Sequence, residues 1–501
     1  NMECYTCHTS WTTSCAGCHL PIEANYKTER KHYEGGYSRN WATYNPQVSR
    51  DQMFLIGRRE AAKGGKIAPV RSTSALVLSS TNANREKIYI QQPPIAASGY
   101  SLHRYAYPDW FAEHRDNDRQ LLHGYPHGSG PAACVQHRGE YLFVAEGDKG
   151  MRVYDIAGIA NKGISQRVIT APFSPLGHDT RIPSANATCV VLPTNQPIHP
   201  DRNEGELMRD INLEQPFHPI YNYVLITDAE EGLILTDVNT LSDGEPRNNF
   251  LERDLTWNEN GILNGARHMV LGGYYAYIVA DAGLVVLSLD QPLQPRLVDV
   301  VPLNRGHSVA LQFRYLFVTD GDGLKTIDVT NPEAPALVED NTIALGQARR
   351  LHLARTYAYV AAGREGMAIV DITRPDKMRL LQTFSEGLVD AHDVAVGATN
   401  ASLFAYVADG AGGLKVVQLF SPSSQPKFYG FSPQPAPELI ASYPTSSPAL
   451  SLSRGLERDR GVDETGGQVA VFGRVGSRPL NLDEMRKLFT DKDGKPWFVE
   501  N

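Results

Sequence analysis

From about residue 133 the chain repeats itself, and the length of the repeat limits the folds open to it. Each unit is an apolar strand, a Gly/Asp turn and a second apolar strand that closes on Asp-Val, Asp-Ile or a near variant. The units run from Tyr141-Leu142-Phe143-Val144 to Tyr154-Asp155-Ile156, and from Tyr223-Val224-Leu225-Ile226 to Thr236-Asp237-Val238. A looser copy spans Ala276-Tyr277-Ile278-Val279 to Leu287-Ser288-Leu289, and three more follow. These join Tyr315-Leu316-Phe317-Val318 to Ile327-Asp328-Val329, Ala358-Tyr359-Val360 to Val370-Asp371-Ile372, and Ala405-Tyr406-Val407 to Val417-Gln418-Leu419. The turns carry Asp-Gly or Gly-Gly pairs, as in Gly321-Asp322-Gly323 and Gly412-Gly413, because tight hairpins need residues that accept positive φ.

Four units open on a histidine: His268, His307, His352 and His392, at separations of 39, 45 and 40 residues. A period of about 40–45 residues with roughly four strands per unit is the signature of a β-propeller. Each unit has apolar faces that only its neighbours can cover, so the units must stack and close. Six units are clear. Residues 75–92 supply a seventh, and strands near 437–442 and 468–475 are available to close the ring. The expected fold is mainly β, a seven-bladed β-propeller over residues 71–475, with a histidine-rich insertion near 100–130. A small irregular segment, 1–70, precedes it, with 61–70 read as a linker. In the tail, 476–501, Leu482, Met485, Leu488 and Phe489 fall at helical spacing, with Asp483 and Glu484 where a helix dipole favours acids.

The leading segment carries its own chemistry. Cys4-Tyr5-Thr6-Cys7-His8 and Cys15-Ala16-Gly17-Cys18-His19 are two C-x-x-C-H motifs within sixteen positions. Two thiols at this spacing reach the two vinyl groups of one porphyrin, and the next histidine falls under the iron, so the motif signals covalent c-type haem. Cys4, Cys7, Cys15 and Cys18 are thus the thioether candidates, and His8 and His19 the proximal iron ligands, for at least two haems c. Zinc is the competing reading of four paired cysteines. Zinc ribbons, however, separate their pairs by about 15–20 residues, and zinc would leave both histidines without a role. For the sixth iron position the candidates are His32, His103, His114, His123 and His127. Each of them fits an ordinary surface histidine equally well.

The remaining features narrow the function classes. With 501 residues there is room for a large repeat domain with appendages. A net charge of −8 gives nucleic-acid binding no electrostatic support. No apolar run approaches the length that spans a bilayer. Cys134 and Cys189 remain after the haem motifs, and a disulfide and two separate buried thiols stay open as alternatives. The recurring histidines allow a ring of imidazoles near the axis that binds a metal or anion, or a repeated hydrogen bond to the neighbouring blade; repetition favours the bond. Asp155, Asp237, Asp328 and Asp371 read as strand-end turn residues, and Asp491-Lys492-Asp493-Gly494 as a turn rather than a calcium loop.

Over roughly 133–420 the units resemble the LVIVD-type propeller repeat of bacterial and archaeal surface proteins. The stretch Cys7-His8-Thr9-Ser10-Trp11-Thr12-Thr13-Ser14-Cys15-Ala16-Gly17-Cys18-His19 resembles a segment of large multihaem c-type cytochromes. Together they resemble multihaem cytochromes that carry a C-terminal LVIVD propeller. That resemblance implies electron transfer outside the cytoplasmic membrane, in the periplasm or at the cell surface. The implied partners are redox proteins, other cytochrome subunits or further copies of the chain. It also implies more C-x-x-C-H motifs than two, so the start at Asn1 is read as a chain that continues upstream. Two rival expectations are a haem enzyme acting on a small inorganic substrate at an open iron, and a surface adhesion protein. No Ser-His-Asp set or phosphate loop stands out, which favours an electron carrier over a catalyst.

Overall fold

The structure, a computed structural model, describes residues 130–138, 141–155, 169–170, 181–193, 217–241, 251–399, 402–426, 432–453, 474–475 and 478–497. Between 22 and 88 it describes only the backbone of short strands.

Among the described residues six antiparallel sheets form the blades, each a meander in which consecutive strands pair. Blade 1 comprises Cys134–Arg138, Tyr141–Ala145 and Met151–Asp155, with Ile169–Thr170 and Arg181–Ile182 sharing its outer edge. Blade 2 is Ala187–Val191, Tyr223–Asp228, Gly232–Asp237 and Glu252–Trp257. Blade 3 is His268–Gly272, Tyr275–Ala280, Gly283–Ser288 and Arg296–Val301. Blade 4 is Ser308–Gln312, Tyr315–Asp320 and Gly323–Asp328, its outer edge shared by Ala336–Leu337 and Ile343–Ala344. Blade 5 is Leu351–Ala354, Tyr357–Ala361, Met367–Asp371 and Arg379–Phe384. Blade 6 is Asp393–Thr399, Ser402–Ala408, Leu414–Phe420 and Glu438–Tyr443.

Burial follows strand position. The second strands of blades 2, 3 and 4 are buried at every residue, while the outer strand of blade 2 alternates exposed and half-buried. In blades 2, 3, 5 and 6 the pairing of third with outer strand shifts register once, between Leu235 and Thr236, Val286 and Leu287, Ile369 and Val370, and Val416 and Val417. A bulge at this point bends the outer strand and increases its twist, as a fanned blade requires.

Apolar clusters join blades 1 and 2, 2 and 3, 3 and 4, 4 and 5, and 5 and 6. Their largest fully buried side chains include Tyr275, Tyr277, Tyr359, Phe143 and Phe317. The seam between blades 6 and 1 is bonded differently. Residues 449–453 come back beside the inner strand of blade 1, where Ser451 Oγ accepts from the Val135 amide (3.3 Å) and Ser453 Oγ from the His137 amide (2.9 Å).

Among the described residues there are six blades where seven were expected. Glu438–Tyr443, counted toward the closing blade, is the outer strand of blade 6, because its register completes the ladder of Leu414–Phe420. Among the described residues Ser80–Thr81 and Lys87–Ile88 pair with each other alone, as do Arg474–Val475 and Arg478–Pro479. The expected linker at 61–70 contains part of the strand Lys66–Ser72, which pairs with Met53–Arg59.

The tail helix runs Leu482–Phe489 as its periodicity predicts. Asn481 caps it in a capping box with Glu484, and Arg478 grips the Glu484 carboxylate with two contacts of 2.7 Å. The helix is seated by Leu480 and Met485 in the core between blades 3 and 4. No helix among the described residues is long and apolar enough to cross a membrane.

Candidate functional site

The inner strands surround the axis and enter it from the same mouth. Aligning the blades by strand register places one residue of each at the start of its inner strand or just before it. The amides of Ala133, Arg267, His307, Arg349 and His392 each donate to the second strand of their own blade, at Ala145, Val279, Thr319, Ala361 and Ala408, over 2.8–2.9 Å. Thr188, at the bulge between Ala187 and Cys189, holds this place in blade 2. These residues form the rim of the mouth. The next residue inward forms a second layer: Cys134, Cys189, His268, Ser308, Arg350 and Asp393.

The second layer links the blades in pairs. Cys134 and Cys189 form a disulfide between blades 1 and 2, with Cα atoms 4.8 Å apart, which settles the alternative left open by the sequence. The His268 Nδ1 lies 3.3 Å from Ser308 Oγ and accepts the Val309 amide at 3.3 Å, tying blade 3 to blade 4. Burial, with Arg350 adding to it, pushes the His268 pKa down to about 3, so the ring is neutral and its Nδ1 is free to accept. Arg350 and Asp393 pair at 3.3 Å across blades 5 and 6. Arg350 also donates to Ser451 Oγ (2.5 Å) and to the Ala133 carbonyl (3.0 Å), while Asp393 accepts the Leu452 amide (2.8 Å). Burial pushes the Asp393 carboxyl above its ordinary value against the pull of Arg350. This one ion pair therefore locks blade 5, blade 6, the returning segment and blade 1 together.

The rim links blades in a second way. Thr188 Oγ1 donates to the Ala266 carbonyl (2.7 Å), Arg267 to Gly306 (3.4 Å) and Arg349 to Ala391 (3.3 Å), each acceptor lying in the next blade. Arg267 also pairs with Asp281, whose carboxylate lies close over Gly265. Gly265 has φ +69°, a backbone conformation that favours glycine there. Arg349 pairs with Asp390 at 3.0 Å, and the other Asp390 oxygen lies 3.0 Å from His392 Nε2. Burial acts upward on Asp390, but Arg349 and His392 outweigh it and hold the carboxyl below the usual range.

His307 lies in this arc with its ring exposed and without a hydrogen-bond partner among the described residues. Packing around the ring lowers its pKa first and Arg267 next; Asp320 pulls the other way and Arg349 adds to the lowering.

The four repeat histidines therefore do not form a ring. His307 and His392 are rim residues, His268 lies one layer deeper, and His352 lies in the inner strand of blade 5. For His268 the inter-blade hydrogen bond is the role found. Among the described residues no three His, Cys, Asp or Glu side chains converge as a metal site. Asp237, Asp328 and Asp371 are turn residues, accepting amides two positions on at 2.6–3.0 Å. Asp491 caps its own turn through the Asp493 and Lys495 amides, both at 2.9 Å. Cys4, Cys7, His8, Cys15, Cys18, His19, His32, His103, His114, His123 and His127 lie outside the described residues.

Sequence reading missed Arg267, Arg349, Arg350 and Asp393. The usable signal was a small residue before each rim position: Ala132-Ala133-Cys134, Ala187-Thr188-Cys189, Ala266-Arg267-His268, Gly306-His307-Ser308, Ala348-Arg349-Arg350 and Ala391-His392-Asp393. A further copy, Ala449-Leu450-Ser451, marks the segment at the seam. Ala449 bonds to Gly410 as Ala187 does to Gly147 and Ala391 to Gly363.

The LVIVD repeat family matches residues 129–170, 265–299, 306–342, 345–385 and 390–430, which fall on blades 1, 3, 4, 5 and 6. The chain carries LVIVD repeats. Blade 2, between the first two LVIVD matches, has a bulged inner strand and a long excursion before its second strand. Among solved structures, the chain is similar to the Cps50 (Swd1) β-propeller domain of Myceliophteria thermophila. The two are 13% identical over 65% of this chain and 90% of that one, with a TM-score of 0.39. It is also similar to a protein from Lactobacillus plantarum, 12% identical over 65% of this chain and 88% of that one, with a TM-score of 0.44. No curated protein matches the chain.

Proposed function

We propose that this LVIVD-repeat protein transfers electrons outside the cytoplasm through haems held at its two C-x-x-C-H motifs, with the propeller as docking and assembly platform. The observation that carries this reading is the donor set. Four thiols in two C-x-x-C pairs, each followed directly by a histidine, match the covalent and axial needs of two haems c. Cys4 and Cys7 would hold one haem and Cys15 and Cys18 the other, with His8 and His19 as proximal ligands. His32, His103, His114, His123 and His127 are the candidates for the opposite face. When bound, the haems supply reversible one-electron chemistry.

The Cys134–Cys189 disulfide supports the address, because such bridges persist in oxidising compartments. The bonded inner layers support the platform role: a ring tied blade to blade can present its surfaces to a partner without rearranging. Redox proteins, other cytochrome subunits and copies of the chain are the partners that suit it.

The test is a visible-spectrum redox titration of the purified chain. Bands of low-spin c-type haem that sharpen on reduction and revert on oxidation are expected. Replacing His8 or His19 should remove low-spin character from one haem and leave the propeller folded. A chain with no redox-active chromophore overturns the proposal.

A further inference from the structure

We infer that the rim arc of Arg267, His307, Arg349 and His392 is a binding site for a small divalent oxyanion of the sulfate or phosphate type. These four residues hold the same backbone position in four consecutive blades, so the fold gathers them along one side of the axial mouth. Four successive basic residues stand at equivalent places along the mouth, and hairpin chemistry does not require them, since Ala133 and Thr188 fill the same position in blades 1 and 2.

The donors are only partly used. A guanidinium has five N–H groups. Arg267 directs its two terminal nitrogens to Asp281 and the Gly306 carbonyl, and Arg349 to Asp390 and the Ala391 carbonyl. Each keeps further donors, in side chains that remain 36% and 30% exposed. These carbonyl and carboxylate contacts also fix the guanidinium planes, so donors reach an incoming anion already oriented. His307 lies between the two arginines in charge influence and brings a free imidazole.

The charge balance makes binding depend on protons. Two arginines face two carboxylates, Asp281 and Asp390, so the arc gains a surplus positive charge only when an imidazole is protonated. The groups acting on His307 are Arg267 from blade 3, Arg349 from blade 5 and Asp320 from its own blade. Asp320 is itself engaged by the Asn304 and Asp322 amides and by Lys325. A divalent anion between the arginines offsets their effect and favours the imidazolium, so uptake of the anion and of a proton reinforce each other.

The test uses the full chain and sodium sulfate, which stays divalent across the range, so any pH dependence belongs to the protein. Calorimetric titration should show saturable binding, tighter by on the order of tenfold at about pH 5.5 than at about pH 8. His307→Gln, at an exposed ring, should keep the fold and lose most of that pH dependence. Arg267→Gln should weaken binding at both pH values, and inorganic phosphate should compete with sulfate. Absence of saturable binding at millimolar sulfate overturns the inference. So does binding that neither substitution alters, or a pH dependence that survives in His307→Gln. None of these outcomes depends on haem.

Discussion

At the scale of single residues, the second layer around the axis shows what a repeat protein does with positions that its repeat leaves variable. Equivalent places hold a disulfide, a histidine–serine bond and an arginine–aspartate pair, three unlike chemistries for one task. Each has its own sensitivity. His268 has a native pKa of about 3 against 6.5 for a free side chain. The unfolded chain therefore binds a proton that the folded chain refuses, and stability falls as pH drops through the window from about 6.5 to about 3. The loss approaches ~1.4 kcal/mol per pH unit in that window. His268→Asn should flatten the fall of melting temperature between about pH 6 and pH 4; equal slopes would remove His268 as the cause. The disulfide closes a loop of 55 residues, for which the chain-entropy relation gives about 4 kcal/mol. Thermal melts with and without reductant, compared with Cys134→Ser/Cys189→Ser, should show reduction and substitution lowering the melting point alike. A melting point indifferent to reductant would mean that the bridge carries no stability.

At the scale of elements, the blades were legible because their chemistry is local. Alternating apolar strands, Gly/Asp turns and strand-end aspartates each declare themselves within a few residues, and all six units found by pattern became blades. The helix at 482–489 was legible for the same reason, since its cap and periodicity share one short stretch. The closure was not legible. Glu438–Tyr443 has the composition of any outer strand, and only its partner decides which blade it completes. The histidines misled because apparent spacing within the repeat concealed three different register positions. The seam makes its own prediction. Asp393 is buried and joins Arg350, Ser451 and Leu452, so Asp393→Asn leaves the half-buried Arg350 guanidinium without its counter-charge. A loss of about 3–5 kcal/mol in denaturant unfolding is expected. A loss confined to a few tenths would mean that the seam is held elsewhere.

At the scale of the whole molecule, a propeller carrying LVIVD repeats is joined to a leading segment whose thiols and imidazoles have the pattern of haem attachment. The ring gives a bonded scaffold with Arg267, His307, Arg349 and His392 along one side of its mouth; the leading segment gives the proposed electron chemistry. Blade packing, strand register and inter-blade bonds follow from residues far apart in sequence, which is why the rim arc emerged only once register was known. The haem proposal has the opposite character: it rests on nineteen contiguous residues, and no folding detail enters it. The most direct test is a pyridine haemochrome assay combined with intact mass on the purified chain. Two covalently bound haems on the 1–19 segment are expected, with Cys4, Cys7, Cys15 and Cys18 unavailable to thiol reagents. A colourless chain with reactive thiols there, or one zinc ion in their place, would contradict the electron-transfer proposal and leave the propeller without that role.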